Sequence, residues 1–352
     1  MTAPKRTRIP KQPGRPIPRR SVGPAVATFA RKRMRHHKGP TYARPFVLEP
    51  WQSNPDLTGD LDLIYEVDER GRRVWRSVLY GIARGNGKSP MAALVGLTEL
   101  LSRRDSPEII CAAGSRDQAR HVYEPAQWNV DNGPLAKYLV AHRNVIKPRW
   151  RDGKMQVVSA DGALMHGGSV SVGIVDELHV FTTAKQEELV AAIDSSLHKR
   201  PDSFKLQITT AGFDKKTLLG ERYDKALRAP DVWKGPGVTI ARDLDARALM
   251  IWRGAPDDAD IEDPATWRLA NPASWLDMDN MRLSFKEARE NDFRRLHLNQ
   301  WTKADGAWLP RGAWTRCART GLVIPEGADV FAGVDIGITK DSAAVVTAWP
   351  HS

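Results

Sequence analysis

The chain has 352 residues, 41% of them hydrophobic and 12 of them tryptophan, enough to bury the core of a full α/β domain and a smaller second unit. No apolar run is long enough to span a bilayer and the N-terminus lacks the apolar core of a signal peptide, so a helical membrane protein is excluded and a cytoplasmic chain is expected. The net charge of +11 resides in the first 40 residues, which hold 12 Lys or Arg and no Asp or Glu.

Those 40 residues, from MTAPKRTRIPKQPGRPIPRR to RKRMRHHKGP, are rich in proline and poor in large apolar side chains. Such a segment buries too little surface to fold alone, so residues 1–40 are predicted to form a basic disordered arm suited to nucleic acid. His36 and His37, set among the arginines, are expected in solvent. Next comes PFVLEPWQSNPDL, a short apolar stretch around Trp51 and Gln52. RRVWRSVLYGIAR carries the β-branched and aromatic enrichment of a buried strand, and MAALVGLTELLSRR has helical spacing. EIICAAGS predicts a second strand, SRDQARHVYEPAQW a helix, VSVGIVDELHVF a third strand and LQITTAG a fourth. Strands alternating with helices predict an α/β domain with a parallel sheet over residues 41–235. The acidic GAPDDADIEDPATW and the helical MRLSFKEARENDFRRLHLNQW predict a small helical lid over 236–310. In 311–352, PRGAWTRCARTGLVIPEGAD reads as a linker, and VFAGVDIGITKDSAAVVTAW as two strands around a turn. Cys111 and Cys317 lie far apart with no CxxC spacing, so both are expected to be free thiols rather than a disulfide or zinc site.

The chemistry begins at YGIARGNGKSP, residues 80–90. The strict phosphate-loop pattern GxxxxGK[ST] needs a glycine at position 82, where this chain has Ile82. The physical requirements are nonetheless met. A strand leads into a loop in which Gly85, Asn86 and Gly87 let backbone N–H groups face phosphate oxygens. Lys88 supplies a cation for the β- and γ-phosphates, Ser89 an oxygen for Mg²⁺, and a helix follows with its positive end toward the anion. Pro90 suits a first helical turn, and Arg84 adds a second cation able to reach the γ-phosphate.

GIVDELH sets Asp176 and Glu177 at the exit of an apolar strand. In a parallel sheet that exit lies on the edge where the phosphate loop sits. Asp176 is expected to hold the Mg²⁺ shell and Glu177 to polarise the attacking water as general base. Gln52 is a candidate reader of the adenine edge, and Thr209, Thr210 and Gly212 of ITTAG are candidates for sensing the γ-phosphate. Together these predict an enzyme that hydrolyses ATP.

In their order, LEPWQ, ARGNGKS, AAGSRDQA, GIVDELH, ITTAG, the LNQW around Asn299–Trp301 and VDIG resemble the large terminase subunit of tailed bacteriophages. The resemblance runs from about residue 42 to the last residue. It implies a P-loop NTPase of the ASCE type, a parallel sheet flanked by helices, with a lid and the first hairpin of an RNase H-like nuclease domain. It also implies a motor that uses ATP and Mg²⁺ to pump double-stranded DNA into a procapsid and a fused endonuclease that cuts the concatemer. Position by position, Gln52 matches the adenine-reading glutamine, and Arg84, Lys88 and Ser89 match the family's form of the phosphate loop. Asp176 and Glu177 match the metal-holding and catalytic carboxylates, and Thr209 and Thr210 the segment coupling hydrolysis to movement.

Asp335 matches the metal-binding aspartate on the nuclease's first strand, and Asp341 follows at the turn. Two-metal cleavage with Mg²⁺ or Mn²⁺ needs further carboxylates, so with the chain ending at Ser352 the nuclease site is expected to be incomplete. The implied partners are duplex DNA, the portal protein, the small terminase subunit and further copies in a homo-oligomeric ring, in the host cytoplasm and transiently at the procapsid portal. A ring needs an arginine donated to the neighbour's γ-phosphate; Arg143, Arg149 and Arg151 are the candidates. The alternatives are a helicase-like translocase, since DELH looks like a DExH box, and a catalytically silent DNA- or capsid-docking chain.

Overall fold

The computed structural model describes residues 14–159, 168–302, 323, 325–335 and 344–349. They belong to two compact units, Met1–Ala304 and Asp305–Ser352.

The first unit is built on a ten-stranded sheet in the order β3-β4-β5-β2-β6-β7-β1-β10-β9-β8. Its centre is made of β5 (Lys154–Ser159), β2 (Glu108–Ala113), β6 (Val172–Asp176), β7 (Phe204–Thr209), β1 (Ser77–Gly81) and β10 (Ala248–Arg253), all mutually parallel. Parallel strands are covered on both faces and read as nearly continuous apolar runs, as EIICAA and VGIVD do. The edges are antiparallel: β3 (Leu139–Ala141) and β4 (Val145–Pro148) beside β5, and β9 (Val238–Asp243) and β8 (Asp231–Gly235) beside β10.

Strand alternation sends the side chains into two cores. Val78, Tyr80, Ile109, Cys111, Ile174 and Leu206 pack with α1 (Gly23–Arg33), α3 (Lys88–Ser102) and α4 (Arg116–Asn132). Leu79, Ile110, Val175, Ala241 and Met250 pack on the other face with α5 (Ala184–Leu197) and α6 (Leu218–Leu227). A third, separate cluster joins α7 (Pro264–Ala270), α8 (Met278–Glu287) and α9 (Glu290–His297) through Trp267, Met281 and Phe293. Cys111 is a free, buried thiol; Cys317 lies outside the described residues. None of the described helices is long and apolar enough to cross a membrane.

Two expectations are corrected. The arm predicted over 1–40 is ordered from residue 14. Its α1 lays Val26 and Ala30 on the sheet core, followed there by Met34 just past the helix, an apolar stripe that the surrounding arginines obscure. Arg15 reaches Asp60, which is wholly buried in α2 (Asp60–Ile64) and also accepts from Arg253 Nε and Nη2 at 2.5 and 2.7 Å and from the Tyr80 hydroxyl at 3.0 Å. A buried carboxylate with two guanidinium partners and a hydroxyl is a satisfied cluster, and removing it strands charge in the core. His36 and His37 are half-buried rather than solvated, and His36 stands edge-on to Phe46 at 5.0 Å. The second correction concerns the boundary at residue 235. Strands β9 and β10, predicted as part of the lid, extend the sheet beyond β1, and only α7–α9 form a separate helical cluster.

In the second unit β11 (Phe331–Asp335) pairs antiparallel with β12 (Ala344–Ala348), Phe331 opposite Ala348. The two strands expected around a turn are therefore present. Asp335 ends β11, whereas Asp341 lies outside the described residues.

Candidate nucleotide site

The C-terminal ends of β1, β6 and β7 meet at one rim of the sheet. From β1 the chain enters the loop Ile82–Gly87 and turns into α3. Gly85 and Gly87 have φ of +86° and +79°, the left-handed region that glycine enters without steric cost. A side chain at Gly81 is impossible because its Cβ would lie 2.2 Å from the Trp252 ring.

Lys88, the first residue of α3, is buried, and its ammonium donates to the carbonyls of Ile82 at 3.0 Å and Ala83 at 3.4 Å. The lysine expected to project toward phosphate therefore folds back beneath its own loop. Burial lowers its pKa, opposed by the negative charges of Glu177 and Asp176. The strand order β6-β7-β1 sets the loop and the carboxylates at the same rim of the sheet, close enough for their charges to act on one another.

Asp176 ends β6, is 2% exposed, and has an Oδ1 with no hydrogen-bond partner. Burial, reinforced by Glu177, raises its carboxyl to about 7, with Lys88 opposing. Glu177 sits in the left-handed region at φ 51°, ψ 54°, a conformation costing about 1–2 kcal/mol in a non-glycine residue and characteristic of functional turns. Burial pushes its carboxyl up, but His179 and Lys88 outweigh this and hold it down at about 2. Two adjacent carboxyls are thus driven in opposite directions, one toward neutrality and one toward permanent charge. The unpartnered Asp176 Oδ1, within the field of Lys88 at the start of α3, suits a divalent cation that would also be held by Ser89. Among the described residues no three His, Cys, Asp or Glu side chains gather as a metal site, so such an ion would need the phosphates themselves as ligands.

His179 was not singled out from sequence. Its Nδ1 lies 3.1 Å from Glu177 Oε2 and 3.3 Å from the hydroxyls of both Thr209 and Thr210, and its backbone N–H donates to Thr209 Oγ1 at 3.1 Å. Thr209 and Thr210 are fully buried, and Thr209 donates to the Thr210 carbonyl at 2.7 Å. The hydroxyls expected to sense phosphate directly are instead engaged with His179, which links them to Glu177. Beyond them, Asn299 Oδ1 accepts from Ala211 N at 2.7 Å, Asn299 Nδ2 donates to Arg253 O at 2.7 Å, and Trp301 stacks on Trp252 with ring centres 6.0 Å apart. The LNQW segment therefore straps the end of the ITTAG strand.

Gln52 is buried; its Oε1 accepts from Glu49 N at 3.0 Å, and a Cβ on Gly87 would lie 4.0 Å from its Nε2. It therefore flanks the loop, as an adenine reader would. The segment after α7 covers the same loop, a contact absent from the sequence reading. Trp275 Nε1 donates to Gly85 O at 2.8 Å, and its ring would meet a Cβ on Gly87 at 3.3 Å. Asn86 Nδ2 donates to Asn271 Oδ1 at 2.8 Å, and Ser274 N donates to the carboxylate of Glu49. Arg84 is exposed, and its charge acts on both Lys88 and Glu177. Of the proposed neighbour-directed arginines, Arg149 donates to Ala136 O and Arg151 to the carbonyls of Leu100 and Arg103. Arg143 lies exposed between β3 and β4.

The glycine loop running into α3, the carboxylates at the end of β6, and the strand β7 interposed between β6 and β1 define a P-loop NTPase of the ASCE type. Comparison with known proteins narrows this class. Residues 61–228 match the family model "Terminase large subunit, ATPase domain", and residues 221–352 match "Terminase large subunit, endonuclease domain". The chain belongs to the terminase large subunit family. It is 26% identical over 327 residues to the terminase large subunit of Enterobacteria phage HK97, covering 88% of this chain and 59% of that one. It is 22% identical over 296 residues to the Gene 13 protein of Mycobacterium phage D29, covering 72% of this chain and 48% of that one. It thus spans about half to three-fifths of the length of these curated relatives. The crystal structure of the HK97 bacteriophage large terminase superposes with a TM-score of 0.66 at 24% identity, over 94% of this chain and 65% of that one, which shows the shared fold.

Proposed function

We propose that this chain is the ATP-hydrolysing motor of a viral DNA-packaging enzyme, driving double-stranded DNA into a procapsid. The single observation that carries this reading is the parallel order β6-β7-β1, which sets the loop bearing Lys88 and the pair Asp176 and Glu177 at one rim of the sheet, within a chain of the terminase large subunit family.

In the proposed cycle the backbone N–H groups of Gly85–Lys88 cradle the phosphates, and Gln52 holds the adenine edge. Lys88 exchanges the Ile82 and Ala83 carbonyls for phosphate oxygens, and Arg84 adds positive charge at the γ-phosphate. Ser89 and Asp176 would hold Mg²⁺, which would supply positive charge against the developing phosphate charge. Glu177, kept ionised by His179 and Lys88, takes the proton of the attacking water. Loss of the γ-phosphate then changes the demand on Glu177, and His179 passes that change to Thr209 and Thr210. From there the Asn299–Trp301 strap carries it out of the sheet.

A pump must tolerate any sequence, so DNA contact runs through the phosphate backbone, with the basic N-terminal segment adding to it. The working assembly is a ring of copies with the portal protein and the small terminase subunit, in the host cytoplasm and at the procapsid portal, and Arg143 is the candidate donated to the neighbouring site. Asp335 is proposed as a Mg²⁺ or Mn²⁺ ligand of the endonuclease part. The test is ATP turnover and binding in the wild type and in Glu177→Gln. Turnover is expected to fall by about 10²–10⁴-fold, the usual contribution of a general base, with ATP still bound; undiminished turnover would remove Glu177 from the mechanism.

A further inference from the structure

Two segments far apart in sequence flank the phosphate loop, LEPWQ ahead of α2 and NPASWL between α7 and α8. A single carboxylate ties them together. Glu49 accepts from Trp51 Nε1 at 2.6 Å and from Ser274 N at 3.1 Å, and also from the Ser274 hydroxyl. Asn86, inside the loop, holds the second segment from the other side: its Nδ2 donates to Asn271 Oδ1 at 2.8 Å and its Oδ1 accepts from Ala273 N at 3.3 Å. NPASWL is therefore fixed against the loop.

Trp275 lies in this fixed segment, yet it is 45% exposed, whereas Trp51, Trp75, Trp252 and Trp267 are almost wholly buried. Its Nε1 donates to Gly85 O at 2.8 Å, which holds the indole in place, and no ring or cation among the described residues stacks on it. A Cβ on Gly87 would lie 3.3 Å from the six-membered ring of this indole and 4.0 Å from Gln52 Nε2, so the open ring and the glutamine amide border the same point of the loop. Gln52 Oε1 is engaged by Glu49 N, but Nε2 makes no hydrogen bond among the described residues and, unlike the orphaned groups of the core, keeps accessible surface. A lone exposed indole is ordinary. One held rigid with a free face beside an unpaired donor suits a heteroaromatic base, because aromatic faces stack on bases and side-chain amides pair with their edges.

We propose that Trp275 is the stacking platform for the base of the nucleotide, with Gln52 Nε2 donating to a ring nitrogen of that base; the inference rests on the loop being the ATP site. Base binding is then shared between the segment ahead of α2 and the connector of the α7–α9 cluster, with Glu49 setting the distance between them. Preorganisation by Glu49 and Asn86 spares the ligand the entropy of ordering the indole.

The test is calorimetric titration of the full chain, with Mg²⁺, by ADP and separately by pyrophosphate, which carries phosphates without a base. Trp275→Leu is expected to weaken ADP at least about fivefold, as loss of one base–aromatic stack requires, and to leave pyrophosphate within about twofold. In steady-state turnover the same variant should raise KM for ATP with kcat unchanged. Trp275→Phe, which keeps a smaller ring, should lose less ADP affinity than the leucine variant, and it carries the same comparison if thermal unfolding shows that Trp275→Leu does not fold. Unchanged ADP binding in a folded Trp275→Leu would overturn the proposal. So would equal weakening of both ligands or a fall in kcat, either of which would make Trp275 a support of the loop. Wild-type protein that binds neither ligand would overturn the nucleotide reading itself, and this assignment with it.

Discussion

Replacing Asp176 with Asn should stabilise the nucleotide-free protein while abolishing its metal-dependent turnover. The Asp176 carboxyl titrates near 7 in the fold against an ordinary value of 3.8. A carboxyl raised in the folded state favours folding at low pH, and that benefit is lost as pH rises through the folded value. A displacement from 3.8 to about 7 corresponds to about 4 kcal/mol in all, at about 1.4 kcal/mol for each tenfold change in proton affinity. Glu177 and Lys88 relax when the charge is removed and take up about half, leaving about 2 kcal/mol. Urea denaturation of both proteins at pH 5 and pH 8 measures this directly. The Asn variant should be the more stable at pH 8, with the difference shrinking by about 1–2 kcal/mol at pH 5. An Asn variant no more stable than wild type at pH 8 would refute the claim that this carboxylate is held under strain for a cation.

His179→Ala should lower turnover by about tenfold and shift the acid limb of the pH–rate profile upward, because Glu177 loses the partner that keeps it ionised; an unmoved limb would reduce His179 to packing. Removing residues 1–13, which carry four basic side chains, should weaken DNA binding and reduce the slope of log affinity against log salt by up to about 3–4. A deletion reaching past residue 22 should instead destabilise the protein, since it strips Val26 and Ala30 from the core.

The parts of the site legible in the sequence were local ones. The phosphate loop, the carboxylate pair and the threonine strand each declare themselves within seven residues or so, because each depends on a strand running directly into a turn. What could not be read depends on distant partners. His179 stands in the quoted GIVDELH, yet its role comes from Thr209 and Thr210, 30 and 31 residues further on. Trp275 meets Gly85 across 190 residues and Ser274 meets Glu49 across 225, and no spacing rule reaches that far. Strands β9 and β10 did carry a signal in VTIARD and ALMIWR, but the acidic loop that follows them drew the boundary too early. In the N-terminal segment, charge density hid the stripe of Val26, Ala30 and Met34, and the buried Asp60 that accepts Arg15 is invisible to composition.

The most direct test of the account is a structure of this chain with Mg²⁺ and a non-hydrolysable ATP analogue. The Lys88 ammonium should leave the carbonyls of Ile82 and Ala83 for the phosphates, with Asp176 Oδ1 joining the metal's ligand shell and Glu177 still against His179. Phosphates bound elsewhere, or a lysine that stays folded beneath its loop while nucleotide is present, would contradict it.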